Sequence, residues 1–217
     1  MPPILRLYED TLSGDGALET ALPAMPRMVF VVHGGATIAG RAFGDGEAWF
    51  GEGSVGVSPG STGVTCWRFE LAPASANGAA RGSGVISHEK LAVRLDTLPA
   101  GDLLMRGDSV AFPPGGCAYR HTHQGPGIRC LMEGGIRIDT HGRSTSYGPG
   151  GAWFESGPEP VFAQAADRPT RFVRVMILPR ALLGKSSIAY VNEEDKARPK
   201  SQQYKIYVDA PIVPPPG

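Results

Sequence analysis

The chain predicts an all-β protein made of two related units, on the strength of its turn-rich composition, its short apolar runs and an internal repeat. Thirty glycines and twenty prolines among 217 residues fall between Val-, Ile- and Phe-rich segments. That is the pattern of many short strands joined by tight turns, as in a sandwich or barrel. A chain of this length buries a core without disulfide staples.

The repeat sets the organisation. At an offset of 100, residues 31–38 lie on 131–138; at 104, residues 46–50 lie on 150–154; at 106, residues 67–73 lie on 173–179. Three blocks kept in order, with small loop insertions between them, divide the chain into units 1–80 and 81–184 and leave 185–217 as a C-terminal arm. Each unit reads as strand, Gly-Gly turn, strand, Gly-rich turn, Ala-Trp-Phe strand, Gly/Pro turn and closing strand. Residues 74–84 are small and polar and read as the linker, with 86–98 as added strand entering the second unit. Residues 180–185 suit one helical turn. The arm holds one apolar run, 204–208, expected to pack on the barrel or on a partner subunit.

Charge narrows the ligand. Lysine plus arginine and aspartate plus glutamate number 21 each, so no global field favours nucleic acid or an acidic membrane, and a small-molecule ligand is expected. The first residues show no basic segment followed by an apolar run, and no stretch reaches bilayer-spanning length. Three cysteines, Cys66, Cys117 and Cys130, lack CxxC spacing. These features suit a reducing, cytoplasmic address.

The chemistry concentrates at His121-Thr122-His123, a strand-like run that turns through Gly125-Pro126-Gly127 into a second strand. Strand side chains alternate, so both imidazoles share a face and form half of a transition-metal site. The residues Gly116…His121-Thr122-His123-Gln124-Gly125-Pro126-Gly127…Glu133-Gly134, followed by Gly148-Pro149-Gly150 and the stretch to Val161, resemble the two motifs of the cupin superfamily. The resemblance covers about residues 103–179 and, more weakly, 16–73. It implies a bicupin: two double-stranded β-helix, jelly-roll-like barrels in tandem, the first degenerate and the second metal-binding. It also implies a homodimer, unless the repeat satisfies that interface within one chain.

The departures from the family pattern direct the site reading. The family's glutamate ligand falls on Gly127 and its second-motif histidine on Val161; in the first unit, Ala21 and Pro23 stand where the histidines would be. Glu155 is the candidate third ligand beside His121 and His123, with Glu159 as the fallback. Two histidines and a carboxylate suit Fe(II), the favoured ion, and tolerate Mn, Ni or Zn. Arg129 is expected to point inward, either paired with Glu155 or holding a substrate carboxylate. Tyr119 is a candidate donor to a bound oxygen, on a face shared with Cys117; Trp153 shares that of Glu155. His33, His88 and His141 read as surface residues, and Arg174, matched by Arg68, as structural. The functional expectation is a metal-dependent cupin enzyme acting on a small carboxylate- or carbonyl-bearing metabolite. Its reaction type is open, with dioxygenase-like chemistry ahead. The alternative is a non-catalytic binding or sensing cupin.

Overall fold

The computed structural model describes residues 1–215 and is built almost entirely of antiparallel strands. The described residues divide into two compact units, one of residues 1–97 together with 212–215, the other of residues 98–211.

The first unit contains β1 (Ile4–Leu18), β2 (Arg27–Ile38), β3 (Arg41–Gly44), β4 (Ala48–Gly51), β5 (Val57–Ala72) and β6 (Gly82–Arg94). They form one sheet in the order β3-β2-β5-β1-β6, with β4 also paired to β2. The boundary near residue 80 is corrected by β6, which pairs along β1 from Ile4↔Arg94 to Leu18↔Gly82 and so belongs to the first unit. The expected linker is a structural loop of that unit. Its carbonyls at Ala76 and Asn77 accept from the Arg6 guanidinium at 2.8 and 3.2 Å, and Gly78 O accepts from Arg68 Nη2 at 2.8 Å. Small residues suit that loop because it must bring backbone carbonyls close to buried guanidinium groups.

The second unit contains β7 (Leu103–Phe112), β8 (Cys117–His123), β9 (Gly127–Glu133), β10 (Ile136–Thr140), β11 (Arg143–Tyr147), β12 (Ala152–Glu155), β13 (Val161–Ala165) and β14 (Thr170–Pro179). A 3₁₀ turn at Arg180–Leu182 meets the expected helical turn, and β15 (Ile188–Tyr190), a short helix α1 (Glu193–Ala197) and β16 (Gln203–Ile212) follow. Two five-stranded sheets result, β11-β10-β13-β8-β15 and β12-β9-β14-β7-β16. Their facing side chains, among them Phe112, Leu131, Ile138, Trp153, Val161 and Phe172, form one buried cluster. The arm through Pro211 is therefore part of this unit, since β15 and β16 each extend one of its sheets.

The repeat survives as matched strand pairing. β2 pairs β4 through Arg27↔Gly51 and Val29↔Trp49, and β9 pairs β12 through Gly127↔Glu155 and Arg129↔Trp153. The Gly-Gly pairs act as bends: Gly34 and Gly134 adopt φ of 88° and 84°. A Cβ at either would lie 2.3 Å from a neighbouring oxygen, so only glycine serves there. In the first unit that bend lies inside the continuous β2, whereas in the second it separates β9 from β10. Both following hairpins turn on two residues of positive φ, Ala39-Gly40 and His141-Gly142, the geometry that matches strand twist.

Each unit also buries an arginine against an aspartate. Arg68 donates to Asp10 at 2.5 and 3.2 Å, and Arg174 to Asp108 at 2.6 and 3.0 Å. The structural role expected for this arginine pair thus has a partner in both units. Asp108→Ala should destabilise the second unit by about 3–5 kcal/mol, because it strands the Arg174 charge. Asp108→Ala combined with Arg174→Met should recover much of that loss, as measured by urea unfolding.

Candidate metal centre

His121 and His123 extend from β8 into the second unit with 4% exposure each. The His121 Nδ1–H donates to the Tyr119 carbonyl at 2.7 Å, which leaves its Nε2 lone pair free. That nitrogen lies 3.2 Å from His123 Nε2. Burial is the main cause holding both imidazoles below the ordinary histidine range, and it acts most strongly on His123, where the Arg129 and Arg174 charges add to it. Both rings are therefore neutral near pH 7.

Glu155 reaches the same place from the facing sheet. It sits directly across from Gly127 on β9, so its carboxylate enters at the strand level where the family pattern puts a glutamate, from the neighbouring strand. Position 127 itself is closed: a Cβ there would lie 2.6 Å from the Val175 carbonyl and 3.0 Å from Arg129 Nη1. Glu155 Oε1 accepts from Trp153 Nε1 at 2.9 Å, and Oε2 lies 3.5 Å from His123 Nε2.

Arg129 resolves toward the ion pair. Its Nη2 is 2.7 Å from Glu155 Oε2, while Nη1 donates to the Gly127 carbonyl at 2.7 Å. The Nη2–Oε2 contact is close but poorly aligned, since neither atom has a properly directed hydrogen bond. Burial lowers the Arg129 pKa to about 10 despite the Glu155 charge. At 1% exposure the guanidinium has no open path to a substrate, so the expected substrate-holding role for Arg129 is not what the structure displays.

Two further expectations are corrected. Tyr119 does not reach the site with its phenol. A bulge in the β8–β13 ladder between Ala118 and His121 breaks the alternation, so Ala118 lines the cavity. The Tyr119 ring instead lies 5.2 Å from the Arg198 guanidinium and 5.4 Å from Lys200 Nζ. Glu159 is 51% exposed and lies 3.9 Å from His141, away from the histidine pair. Cys117 stands half-buried outside the cavity, whereas Trp153 lines it. His33, His88 and His141 are exposed.

These side chains surround a cavity of about 20 Å³, enough for an ion or a water or two. Arg174, Ile188 and Tyr204 also line it. Sequence reasoning missed the last two because β15 and β16 lie outside the repeat. The signal available was the alternation of Tyr204, Ile206 and Val208.

The donors fit a divalent ion in chemistry. Two neutral imidazole nitrogens 3.2 Å apart match adjacent ligands on an ion with bonds of about 2.1 Å, and Oε2 of Glu155 is a buried acceptor without a hydrogen bond. Among the described residues, however, no three His, Cys, Asp or Glu side chains already form a set arranged to hold a metal. The carboxylate that would complete one is drawn toward Arg129.

The fold is that of the cupins, as its structural neighbours establish. A mutant of Bacillus subtilis oxalate decarboxylase superposes with a TM-score of 0.64 at 12% identity, covering 89% of this chain and 73% of that one. A structure from work on the Mn(II) centres of the same enzyme gives 0.61 at 10% identity, covering 92% and 81%. No family model matches the sequence, and no curated protein matches it either. No helix among the described residues is long and apolar enough to cross a membrane.

Two outcomes follow from the geometry. Gly127→Glu, which restores the family residue, should destabilise the protein by about 1–3 kcal/mol or more through overpacking, readable as a lower urea midpoint. The buried histidines have folded pKa values below their unfolded value of about 6.5. Their contribution to stability is therefore present above pH ~6.5 and is lost as pH falls toward the folded values, by up to about 1.4 kcal/mol per pH unit per proton. Chelator-treated protein should lose stability over that range, and a His121→Asn/His123→Asn variant should show a flatter profile.

Proposed function

We propose that the protein is a metal-dependent cupin enzyme whose second unit binds a divalent ion through His121, His123 and Glu155. It would act on a small carboxylate- or carbonyl-bearing metabolite. The supporting observation is the convergence of two neutral, buried imidazole nitrogens 3.2 Å apart with Glu155 Oε2 3.5 Å from one of them. When bound, the ion would supply Lewis-acid or O₂-activating chemistry. The chain's own residues would fix the His121 tautomer through the Tyr119 carbonyl, orient Glu155 through Trp153, and exclude bulk water. The first unit is a degenerate cupin barrel in this reading and the second a complete one.

Nothing at the site selects Fe(II), and the Bacillus subtilis oxalate decarboxylase that the fold resembles has Mn(II) centres. The iron preference therefore gives way to a divalent ion of open identity. The dioxygenase-like preference depended on that iron, and the reaction class is left to experiment because the fold hosts several. A soluble, cytoplasmic homodimer remains part of the proposal.

One observation favours the non-catalytic alternative: the 2.7 Å contact in which Arg129 occupies the Glu155 oxygen needed by an ion. Metal analysis by plasma mass spectrometry separates the two. Protein purified without chelator should carry near-stoichiometric metal, with a loss of tenfold or more in affinity for His121→Ala and Glu155→Ala. Absence of uptake after addition of Mn(II), Fe(II), Ni(II) or Zn(II) would sink the enzyme reading.

A further inference from the structure

The cavity beside the histidines is too small for an organic substrate, and the residues that wall it off belong partly to the C-terminal segment. Outside that wall lies a chamber of about 330 Å³ within the second unit, bounded by β7, β14, residues 184–190 and residues 200–206. Its size falls in the range of small-molecule sites. Arg174, Ile188 and Tyr204 line both spaces. The wall is tied to the histidine strand itself, because β15 pairs β8 through Ile188↔His123 and Tyr190↔His121.

The charges of the chamber are unequally satisfied. Arg106 and Arg174 are neutralised by Asp209 and Asp108. Lys185 and Lys200, both exposed, form no ion pair with a carboxylate among the described residues. The Lys200 ammonium instead bonds the carbonyl of Asp195 and those of Arg198 and Lys196, the last two at 2.8 and 3.3 Å, and lies 4.2 Å from the Tyr190 ring. Deeper in, Gln202 is 7% exposed and interacts with the Tyr190 and Tyr204 phenols, yet its Oε1 has no hydrogen-bond partner. A buried acceptor left without a donor is destabilising, because it has given up water and received no partner in return.

We propose that this chamber binds a small hydroxycarboxylate. Its carboxylate pairs with Lys185 in the field of the Lys200 charge, whose three N–H groups stay on backbone carbonyls, its hydroxyl donates to Gln202 Oε1, and its apolar body lies among Tyr190, Tyr204 and Ile206. The chamber rests on the functional reading above only in being the antechamber of the histidine centre; its ligand chemistry stands on its own residues. Recognition of the acid thereby falls to the C-terminal segment, with Arg129 committed to Glu155.

The test uses the full chain and three probes: 4-hydroxybenzoate, its neutral amide 4-hydroxybenzamide, and benzoate, which lacks the hydroxyl. Calorimetry should show saturable binding of 4-hydroxybenzoate, with the amide and benzoate each about tenfold weaker. Lys185→Met and Gln202→Leu should each weaken 4-hydroxybenzoate about tenfold, and amide-resonance shifts should cluster at residues 184–206. Lys185→Met, at an exposed position, keeps the test open should Gln202→Leu fail to fold. No saturable binding, equal affinity for the three probes, or an unchanged affinity in Lys185→Met overturns the proposal. Metal content measured on the same samples separates the two readings. Selective binding without metal uptake upholds the chamber and removes the metal centre, while metal uptake without binding does the reverse.

Discussion

A guanidinium buried as deeply as that of Arg129 requires a counter-charge, and the second unit supplies one from the facing strand. Glu155 answers it at 2.7 Å, from the position paired with Gly127, where the neighbouring backbone and Arg129 leave no room for a side chain. Removing either partner would leave an uncompensated charge in the interior, at a cost of several kcal/mol. Much of the local arrangement follows from that demand. Gly127 must stay without a side chain, Trp153 must turn its N–H toward Oε1, and the imidazoles beside them must stay neutral next to two arginines.

The two units solve the same problem differently. In the first, the matched strand pair carries Arg27 opposite Gly51, and the carboxylate comes from β5 as Glu70, which takes Arg27 at 2.6 Å, Arg6 at 2.8 Å and Arg68 at 2.6 Å. Asp10 adds a second carboxylate, so three buried guanidinium groups share two anions and the loop carbonyls of residues 76–78. Arg27 Nη1 is left without a hydrogen bond. Burial is the largest single cause at both Arg27 and Arg68; it prevails at Arg27 and lowers its pKa, whereas the charges and hydrogen bonds of Glu70 and Asp10 together outweigh it at Arg68 and raise the pKa there. The second unit pairs its buried arginines one to one and keeps its histidines uncharged, leaving nitrogen lone pairs available. An interior saturated with arginine on one side and an interior with free donor atoms on the other thus arise from one strand pattern.

The all-β class, the repeat and the inward histidine pair were legible because each depends on local rules: turn residues, ordered self-similarity and strand alternation. Glu155 was legible for the same reason, through its parity and its absence from the first unit. Tyr119 was not, because one bulge between Ala118 and His121 reverses which residue faces inward, and a bulge leaves little mark on residue type. The unit boundary was misplaced because residues 82–94 read as a strand from either side, and only pairing with β1 decides their allegiance. Ile188 and Tyr204 were missed as site residues, since the alternation of Tyr204, Ile206 and Val208 marks a strand without announcing which sheet edge it will cover.

That covering changes the electrostatics of the centre. Without β15, the histidine strand would be a sheet edge, and water would reach the imidazoles. With Ile188 and Tyr190 paired across from His123 and His121, the rings are almost fully buried. Interactions among Glu155, Arg129 and any bound cation then act at reduced dielectric, where a change of partner matters far more than it would in solvent. A divalent ion would have to compete with Arg129 for a single carboxylate oxygen, beside a second arginine already held by Asp108. An anion entering from the lysine-lined side would offset that accumulated positive charge, so the same terminal segment that desolvates the centre also governs which charge can approach it.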